Sequence, residues 1–330
     1  MAGKRTKRRR IRGGQVILAA ALTLLLSAAV IGGVWLWREN QPGPADLRES
    51  RAGTVTTLSL YQAPETAAES APVPAAAPDV TAAEEESPFE IVEILGEETD
   101  LTVARILGKR YKGFVALVRD PSRLYVGTIP YYGENVRGRT VNQMADDNGA
   151  ILAINGGAFA DPNGEGWGGM PQGNVIVNGE VRYGGGGSTV GMDAQGKLYA
   201  GEFTSGRCRE LGLVWALSYG PTLIENGEIR PNLANNLSEP RTAVGQLADG
   251  TVVLLNIQGR QVSALGVTYQ QLAEIMLRFG CVTAGNLDGG ASSDIYYRGK
   301  YVNIANSSGG PRPIPTAVMV GPVREEEAEG

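Results

Sequence analysis

The chain has 330 residues, with 30 basic and 35 acidic side chains and no histidine. The lack of histidine excludes a Ser-His-Asp triad, a histidine-activated cysteine and every histidine-ligated zinc site. Any chemistry must therefore use carboxylates, amides, hydroxyls, tyrosine, lysine or arginine. Two cysteines occur, Cys208 and Cys281, and the sequence does not decide whether they pair, because a domain this large can build its core without a disulfide.

The charges are unevenly distributed along the chain. Seven of the basic residues lie within the first twelve positions, which contain no acid. The chain beyond residue 12 contains the remaining 23 basic residues and all 35 acidic ones, so its net charge is −12. A net-negative domain without a basic stripe does not suit nucleic acid, because phosphate contacts need lysine and arginine. We therefore expect no nucleic-acid partner.

Residues 15–37 contain no charged side chain and are rich in leucine, alanine, isoleucine and valine. Their number is close to the ~20 residues that a helix needs to cross a bilayer core. Residues 1–14 form a basic tail before this run, and Trp35 and Trp37 lie at its far end. The pattern predicts a signal anchor at 15–37, with a cytoplasmic N-terminus and an extracytoplasmic domain in a single-pass cell-membrane protein. A cleaved signal peptide is the alternative, although the run exceeds the usual ~7–15 apolar residues.

Proline and alanine dominate residues 38–87, which also contain three consecutive glutamates at 84–86. Such a segment buries too little apolar surface to offset its chain entropy, so we predict a disordered linker. The folded domain is predicted at 88–323, and the acidic residues 324–330 are predicted to form a frayed tail.

Within this domain, short β-branched and aromatic runs separated by turn residues predict strands at 89–95, 102–106, 113–118, 123–129, 150–154, 281–286 and 314–320. Two capping boxes, Thr140 with Gln143 and Thr268 with Gln271, predict helices that end near Gly149 and Gly280. Asn-Gly and Asp-Gly pairs predict hairpins at 175–181, 223–229 and 241–257. Because no alternating βαβ array is present, the fold class is α+β, with a mixed, largely antiparallel sheet core and packed helices.

Two of the predicted strands end in the same pattern, an apolar run followed by a polar residue and two glycines. The first reads Asn155-Gly156-Gly157, and the second reads Asn286-Leu287-Asp288-Gly289-Gly290 followed by Ala291-Ser292-Ser293. Adjacent glycines indicate backbone that adopts positive φ or approaches a ligand closely. A glycine-rich turn held by Asx hydrogen bonds is the structural alternative.

These two strand ends occur in a fixed order with Gly220-Pro221, Arg241-Thr242-Ala243, Gly259-Arg260, Gly266-Val267-Thr268, and Arg312 before Ala317-Val318. The ordered set resembles the phosphodiester glycosidase family over roughly residues 88–323. Two positions depart from the family pattern: Ala158 stands where an aromatic residue is common, and Gln258 stands where an acid is common. The resemblance implies cleavage of the sugar C1–O bond in sugar-1-phosphodiesters, by a domain that many bacterial members hold outside the membrane on an N-terminal anchor and linker.

Cleaving this bond expels a phosphate monoester, which is already anionic and therefore needs a strong general acid less than an ordinary glycoside does. The site then needs cations for the phosphate, which arginine forks supply, and one carboxylate near the anomeric carbon. We assign Asp288 as the nucleophile or the base that activates water, with Arg241 and Asn155 as further catalytic residues. The predicted substrate-binding residues are Asn286, Arg260, Arg312, Ser292, Ser293, Gly156, Gly157, Gly289 and Gly290. No metal and no cofactor are expected.

Each assignment has a structural alternative. Arg241 can pair with a surface acid, Arg260 can end its hairpin, and Asp288 can form an Asx turn. Asp161 and Glu165, in a glycine-rich loop, are candidates for a second carboxylate. If the assigned residues act on one small ligand, they must converge within ~10 Å.

Three functions compete at this point. The first is a membrane-anchored hydrolase whose substrate is a phosphorylated glycan of the cell envelope or of an exopolysaccharide. The second is a non-catalytic protein that binds such glycans, motivated by the departures at Ala158 and Gln258. The third is a metal-dependent phosphoesterase that holds a hard cation through Asp288, Asp294 and Asp249.

Overall fold

The computed structural model describes residues 89–162, 166–233 and 237–323. The predicted basic tail, membrane anchor, linker and acidic tail all lie outside the described residues, as does Glu165. Within the described residues, no helix combines the length and the apolar character needed to cross a bilayer.

The largest sheet has eight strands. In spatial order they are β1 (Phe89–Glu97), β2 (Leu101–Gly108), β3 (Lys112–Val118), β14 (Val252–Gln258), β13 (Arg241–Leu247), β15 (Cys281–Asn286), β11 (Thr222–Glu225) and β12 (Glu228–Ile229). Strand β14 is buried along its whole length, and β13 is buried except at its last residue. Both faces of these central strands are therefore covered, including the polar side chains of Arg241, Asn256 and Gln258.

Two smaller sheets have five strands each. The first runs β7 (Glu180–Tyr183), β6 (Val175–Val177), β10 (Leu213–Ser218), β8 (Gly187–Asp193) and β9 (Leu198–Phe203). The second runs β17 (Lys300–Tyr301), β16 (Ile295–Tyr297), β5 (Leu152–Asn155), β18 (Thr316–Val320) and β4 (Leu124–Thr128).

Every strand pair among the described residues is antiparallel. The predicted antiparallel core is therefore confirmed, whereas the parallel pairing that a mixed sheet requires is not found in this part of the chain. For the hairpins, such as β6–β7 and β13–β14, the short connection is the physical reason, since parallel neighbours need a crossover of a dozen or more residues. At two hairpins the turn residues adopt positive φ, with Asn178 at 52° and Gly179 at 77°, and Asn226 at 54° and Gly227 at 79°.

The described residues contain three α-helices, α1 (Val141–Asn148), α2 (Ser205–Glu210) and α3 (Tyr269–Arg278). The capping box of α3 is formed, because Gln271 N donates to Thr268 Oγ1 at 3.2 Å and Thr268 N donates to Gln271 Oε1 at 3.0 Å. Helix α1 ends at Gly149, whose φ of 65° is the left-handed conformation expected there. Helix α3 packs its apolar face on the large sheet. The packed helices and antiparallel sheets confirm the α+β class.

One core cluster takes side chains from all three sheets, for example Leu254, Trp215 and Ile154. The cluster also contains Val244 of β13 and Leu287, which directly follows β15. Because these buried groups interlock, the cluster fixes where β5, β13 and β15 end relative to one another. The two cysteines lie in different core clusters, Cys208 and Cys281 both being buried and unpaired.

Candidate active site

The two glycine-ended strands predicted from the sequence meet at one place. Asp288 N donates to Gly156 O at 3.1 Å, and Asn155 Nδ2 donates to Asp288 O at 2.6 Å. Leu287 N donates to Thr242 O at 2.8 Å, which brings the start of β13 to the same point. The backbone of Asp288 is therefore held by β5, β13 and β15 together.

A cavity of about 690 Å³ lies at this junction, within the ~300–1,000 Å³ typical of small-molecule sites. The predicted site residues that line it are Asp288, Arg241, Arg260, Arg312, Ser292, Gly289 and Gly290. Residues that the prediction did not assign to the site complete its wall, among them Phe159, Gln172, Tyr219, Glu239, Asn306 and Ser307. The structure therefore brings together the predicted carboxylate and the predicted arginines, while their catalytic roles stay predictions.

Asp288 is partly open to the cavity, yet burial raises the pKa of its carboxyl to about 6. The Ser292 hydroxyl opposes this rise, although it makes no hydrogen bond of normal geometry. Gly289 N, which donates to Asp288 Oδ1 at 2.8 Å, and the Arg312 guanidinium also oppose it, whereas the charge of Asp161 adds to it. At neutral pH the carboxyl is thus ionised but poorly solvated, the state expected of a nucleophile or a base.

Two of the three arginines in the cavity wall have carboxylate partners. Arg312 Nη2 lies 2.7 Å from Asp161 Oδ1, and its Cζ lies 5.2 Å from the centre of the Phe159 ring. Arg260 Nε donates to Glu239 Oε2 at 2.9 Å. An anionic ligand that binds either guanidinium group therefore binds beside a carboxylate that offsets part of the positive charge.

Arg241 is held differently, because its side chain is buried at the start of β13. Its Nε donates to Val267 O at 3.3 Å, its Nη2 donates to Leu237 O at 3.2 Å, and its Cζ lies 4.0 Å from the centre of the Tyr269 ring. The guanidinium thus contacts backbone carbonyls and an aromatic face rather than the surface acid of the structural alternative. This cation is fixed in the cavity wall.

Asp161, a sequence candidate for a second carboxylate, does line the cavity. The contact with Arg312 lowers the pKa of Asp161 below its usual value, although burial acts in the opposite direction. Gly166 N, which donates to Asp161 Oδ1 at 2.8 Å, also lowers this pKa. Asp161 therefore stays ionised at neutral pH. It is suited to orient Arg312 and not to donate a proton.

Three predicted contact residues, Asn155, Asn286 and Ser293, are buried and lie behind the cavity wall. Asn155 Oδ1 accepts from Thr242 Oγ1 at 2.7 Å, and Asn286 Nδ2 donates to Gly220 O at 2.6 Å. The assignments of Asn155 as a catalytic residue and of Asn286 as a substrate-binding residue therefore gain no support from this geometry. Their amides are needed to satisfy buried backbone groups, which would otherwise lack partners.

Of the predicted glycines, some lie behind the cavity wall and others lie in it. A Cβ at Gly156 would lie 2.5 Å from Thr316 O, and one at Gly157 would lie 2.8 Å from Ser218 O, so both glycines allow close backbone packing behind the wall. Gly290 lies in the wall itself, with φ at 60°. A Cβ there would lie 3.0 Å from Arg260 Nη2, so this glycine lets the guanidinium approach the carboxylate loop.

Tyr219 is a cavity residue that the sequence reasoning missed. Burial raises the pKa of its hydroxyl, and the charge of Asp288 raises it further. The hydroxyl therefore stays protonated and can donate a hydrogen bond to a ligand. Its one sequence signal was its place directly before the Gly220-Pro221 motif.

The three-aspartate cation site has no support in the structure. Across residues 89–162, 166–233 and 237–323, no three histidine, cysteine, aspartate or glutamate side chains are grouped to hold a metal ion. Asp249 lies in the β13–β14 turn, where its Oδ1 accepts from Thr251 N at 2.9 Å. Asp294 Oδ1 accepts from Asn303 Nδ2 at 3.0 Å, behind the cavity wall.

Sequence comparison finds relatives that share parts of this chain. The SPbeta prophage-derived protein YomE of Bacillus subtilis (strain 168) is 41% identical over 68 residues, which are 21% of this chain and 11% of that protein. The N-acetylglucosamine-1-phosphodiester alpha-N-acetylglucosaminidase of Bos taurus is 29% identical over 185 residues, 49% of this chain and 34% of that protein. The chain thus spans about a third of the bovine enzyme's length and about a tenth of YomE.

Two solved structures share the fold. The catalytic domain of the zebrafish N-acetylglucosamine-1-phosphodiester alpha-N-acetylglucosaminidase, auto-inhibited by its pro-peptide, matches with a TM-score of 0.58 and 22% identity, over 71% of this chain and 88% of that one. A hypothetical protein from Synechocystis matches with a TM-score of 0.56 and 15% identity, over 72% of this chain and 64% of that one.

The model of the phosphodiester glycosidase family matches residues 148–321, more than half of the chain. This range contains both glycine-ended strands, Asp288 and all three arginines of the cavity wall. On this match, the chain belongs to the phosphodiester glycosidase family.

Proposed function

We propose that this protein is a membrane-anchored, extracytoplasmic hydrolase that cleaves the sugar C1–O bond of sugar-1-phosphodiesters in cell-envelope or exopolysaccharide glycans. The observation that carries the proposal is the cavity in which Asp288, with its raised pKa, lies among Arg241, Arg260 and Arg312. Membership in the family and the phosphodiester-linked sugar in the names of the animal relatives support the reaction. The basic N-terminus and the apolar run at 15–37 support the location.

In this proposal the phosphate of the substrate binds between Arg260 and Arg312 in the cavity wall. Arg260 and Arg312 exchange their carboxylate partners for phosphate oxygens, which guanidinium forks match in geometry. The sugar then lies towards Asp288, and the protonated hydroxyl of Tyr219 donates to a ligand oxygen. The buried bond from Asn155 Nδ2 to Asp288 O fixes the carboxylate-bearing loop during the reaction.

The chemical step has two forms, and both balance without a general acid. With Asp288 as base, a water oxygen bonds to C1, the water proton passes to Asp288, and the C1–O electron pair leaves on the phosphate monoester. With Asp288 as nucleophile, its oxygen bonds to C1 while the C1–O electron pair leaves on the phosphate monoester. Water then bonds to C1, the bond from C1 to Asp288 breaks so that the carboxylate is regenerated, and the water proton passes to solvent. In both forms the leaving phosphate departs as an anion that the arginines stabilise.

The test is hydrolysis of UDP-N-acetylglucosamine or of a synthetic sugar-1-phosphodiester by the full chain in detergent. Asp288→Asn keeps the size of the side chain but removes its charge, and we expect turnover to fall by roughly 10²–10⁴-fold. Asp249→Asn, an exposed turn residue, is the matched control and leaves turnover unchanged. Unchanged turnover in Asp288→Asn would show that the site assignment is wrong. Tight binding of phosphorylated glycans without turnover would instead favour the non-catalytic alternative.

A further inference from the structure

The cavity of the candidate active site has as many acids as arginines among its described lining residues. The acids are Asp161, Glu239 and Asp288, and this lining contains no lysine. With all three carboxylates ionised, the formal charge of the described lining is therefore zero. Sites that hold a transferring phosphoryl group normally carry cations in excess, which offset the charge of the ligand. The balance of charges here limits how much negative charge a ligand can bring.

Glu239 is the acid of this lining that no step of the proposed reaction uses. Asp288 acts at the anomeric carbon in that reaction, and Asp161 orients Arg312. Glu239 Oε2 accepts from Arg260 Nε at 2.9 Å, and both side chains are partly open to solvent. An ion pair with this exposure contributes little to stability, so folding alone does not account for a carboxylate at this position.

The backbone of Glu239 is fixed beside the loop that contains Gly290. Glu239 N donates to Val267 O at 3.2 Å, and Val267 N donates to Glu239 O at 3.0 Å. The carbonyl oxygen of the next residue, Pro240, accepts from Gly290 N at 2.8 Å. The carboxylate is therefore held at the cavity wall by its backbone, and not by its arginine alone.

Arg260 presents one edge of its guanidinium to Glu239 and another to the loop of Asp288. Its Nε donates to Glu239, whereas its Nη2 lies 3.0 Å from the place that a Cβ on Gly290 would occupy. A phosphate that binds this arginine therefore lies close to the Glu239 carboxylate, whether or not the two anions exchange places at Nε.

The charge of Glu239 opposes a phosphate monoester more than it opposes a phosphodiester. A phosphodiester carries one negative charge, whereas a monoester carries close to two above its second pKa of ~6. Because Coulomb energy is proportional to the charge of the ligand, a nearby carboxylate repels the doubly charged monoester about twice as strongly in free energy. The diester is the substrate of the proposed reaction, and the monoester is its product.

We propose that Glu239 is a specificity-determining residue, whose charge beside Arg260 lets the cavity hold a phosphodiester monoanion but release a phosphate monoester dianion. The inference rests on the proposed function, because that function places the phosphate between Arg260 and Arg312. Without this carboxylate the described lining has a net positive charge, so the product binds more tightly and inhibits. A residue that only orients Arg260 would instead affect both ligands alike.

Two small probes test the inference at pH 8, dimethyl phosphate with one negative charge and methyl phosphate with two. Glu239→Gln in the full chain in detergent keeps an acceptor for Arg260 Nε but removes the charge. We expect this variant to bind dimethyl phosphate about threefold and methyl phosphate about tenfold more tightly than the wild type in phosphorus-31 NMR titrations, since the free-energy effect scales with ligand charge. An equal factor for both probes, or no detectable binding of either probe to this variant, would overturn the inference.

Two further variants separate the charge of the side chain from its position. Glu239→Asp keeps the charge, and we expect it to preserve the wild-type ratio of the two dissociation constants. Glu225→Gln removes a carboxylate from the exposed ion pair with Arg230, away from the cavity lining, and leaves both constants unchanged. A ratio in Glu239→Asp equal to that in Glu239→Gln would mean that charge is not the cause, and it would contradict the proposal.

Product inhibition separates failure of this inference from failure of the proposed function. During hydrolysis of the methyl ester of N-acetylglucosamine-1-phosphate, we expect methyl phosphate to inhibit Glu239→Gln at about tenfold lower concentration than the wild type. Equal inhibition of the two proteins would overturn the inference and leave the hydrolytic function in place. Absence of turnover in both proteins, with the unequal binding changes present, would overturn only the hydrolytic function.

Discussion

Replacing Asp288 with asparagine is expected to stabilise the protein while removing its activity. Burial moves the pKa of this carboxyl from its ordinary value of 3.8 to about 6, and each pKa unit corresponds to ~1.4 kcal/mol. Holding the charge in the folded state therefore costs about 3 kcal/mol, an upper estimate because Asp288 is partly open to the cavity, where solvent screens its charge.

The free-energy cost of holding the Asp288 charge in the folded state increases as the pH rises. Well below pH 3.8 the carboxyl is protonated in both the folded and the unfolded chain, so the cost is absent. As the pH rises from 3.8 to 6, the unfolded chain releases its proton before the folded chain does, and the free energy of unfolding falls. Above pH 6 the full cost is present. Asparagine has no charge to bury and avoids it.

Thermal unfolding of the full chain in detergent measures this effect. We expect Asp288→Asn to raise Tm by roughly 5–10 °C at pH 8 and to change it little at pH 4. The exposed Asp249→Asn shows no such pH-dependent gain. A loss of stability in Asp288→Asn, or an equal change at both pH values, would refute the reasoning that Asp288 holds a costly charge.

Three further predictions follow from the same contacts. Arg312→Lys keeps the charge but loses the guanidinium fork, so kcat/KM for a sugar-1-phosphodiester falls about tenfold or more, while Arg230→Lys at an exposed ion pair changes nothing. Asn155→Ala leaves the buried Asp288 O without its partner and lowers the free energy of unfolding by about 1–3 kcal/mol in urea titration. The pH profile of kcat/KM rises through a midpoint near 6, and it keeps that midpoint in Asp294→Asn, whose carboxyl has a similar pKa but lies behind the cavity wall.

Local sequence signals predicted much of the fold. The capping boxes at Thr140 and Thr268 mark helix starts because their hydrogen bonds join residues only three positions apart. The Asn178-Gly179 turn is equally local, since both residues must adopt positive φ. Such features depend on neighbours in the sequence and need no knowledge of distant chain.

The sheet formed by β6 to β10 was predicted only at its first hairpin. Strand β8 contains Gly187 and Gly191, which local propensity assigns to turns rather than strands. A Cβ at Gly191 would lie 2.6 Å from Trp215 O, so the glycine is required by the approach of β10. That requirement arises from a strand more than twenty residues away, and no local pattern reveals it.

In the candidate site, too, some features follow from neighbouring residues and others depend on distant segments. The sequence pointed to Asp288 because glycines and an acid at a strand end are unusual in a core. It pointed to the arginines through the family resemblance and the match of guanidinium forks to phosphate. The sequence could not distinguish residues that line the cavity from buried residues behind it. Asn155 contacts Thr242 and Asp288 O only once three strands have been brought together. The carboxylate partners Glu239 and Asp161 were likewise invisible as partners, since each pairs with an arginine from a distant segment.

Hydrolysis of a sugar-1-phosphodiester in water labelled with heavy oxygen tests the central claim most directly. If the enzyme breaks the sugar C1–O bond, the water oxygen bonds to carbon, and mass spectrometry finds the released phosphate monoester unlabelled. Exchange of the free sugar's own hydroxyl with water does not affect this readout. A phosphate monoester that carries the heavy oxygen would mean that water attacks phosphorus, and it would contradict the assignment of Asp288 to the anomeric carbon.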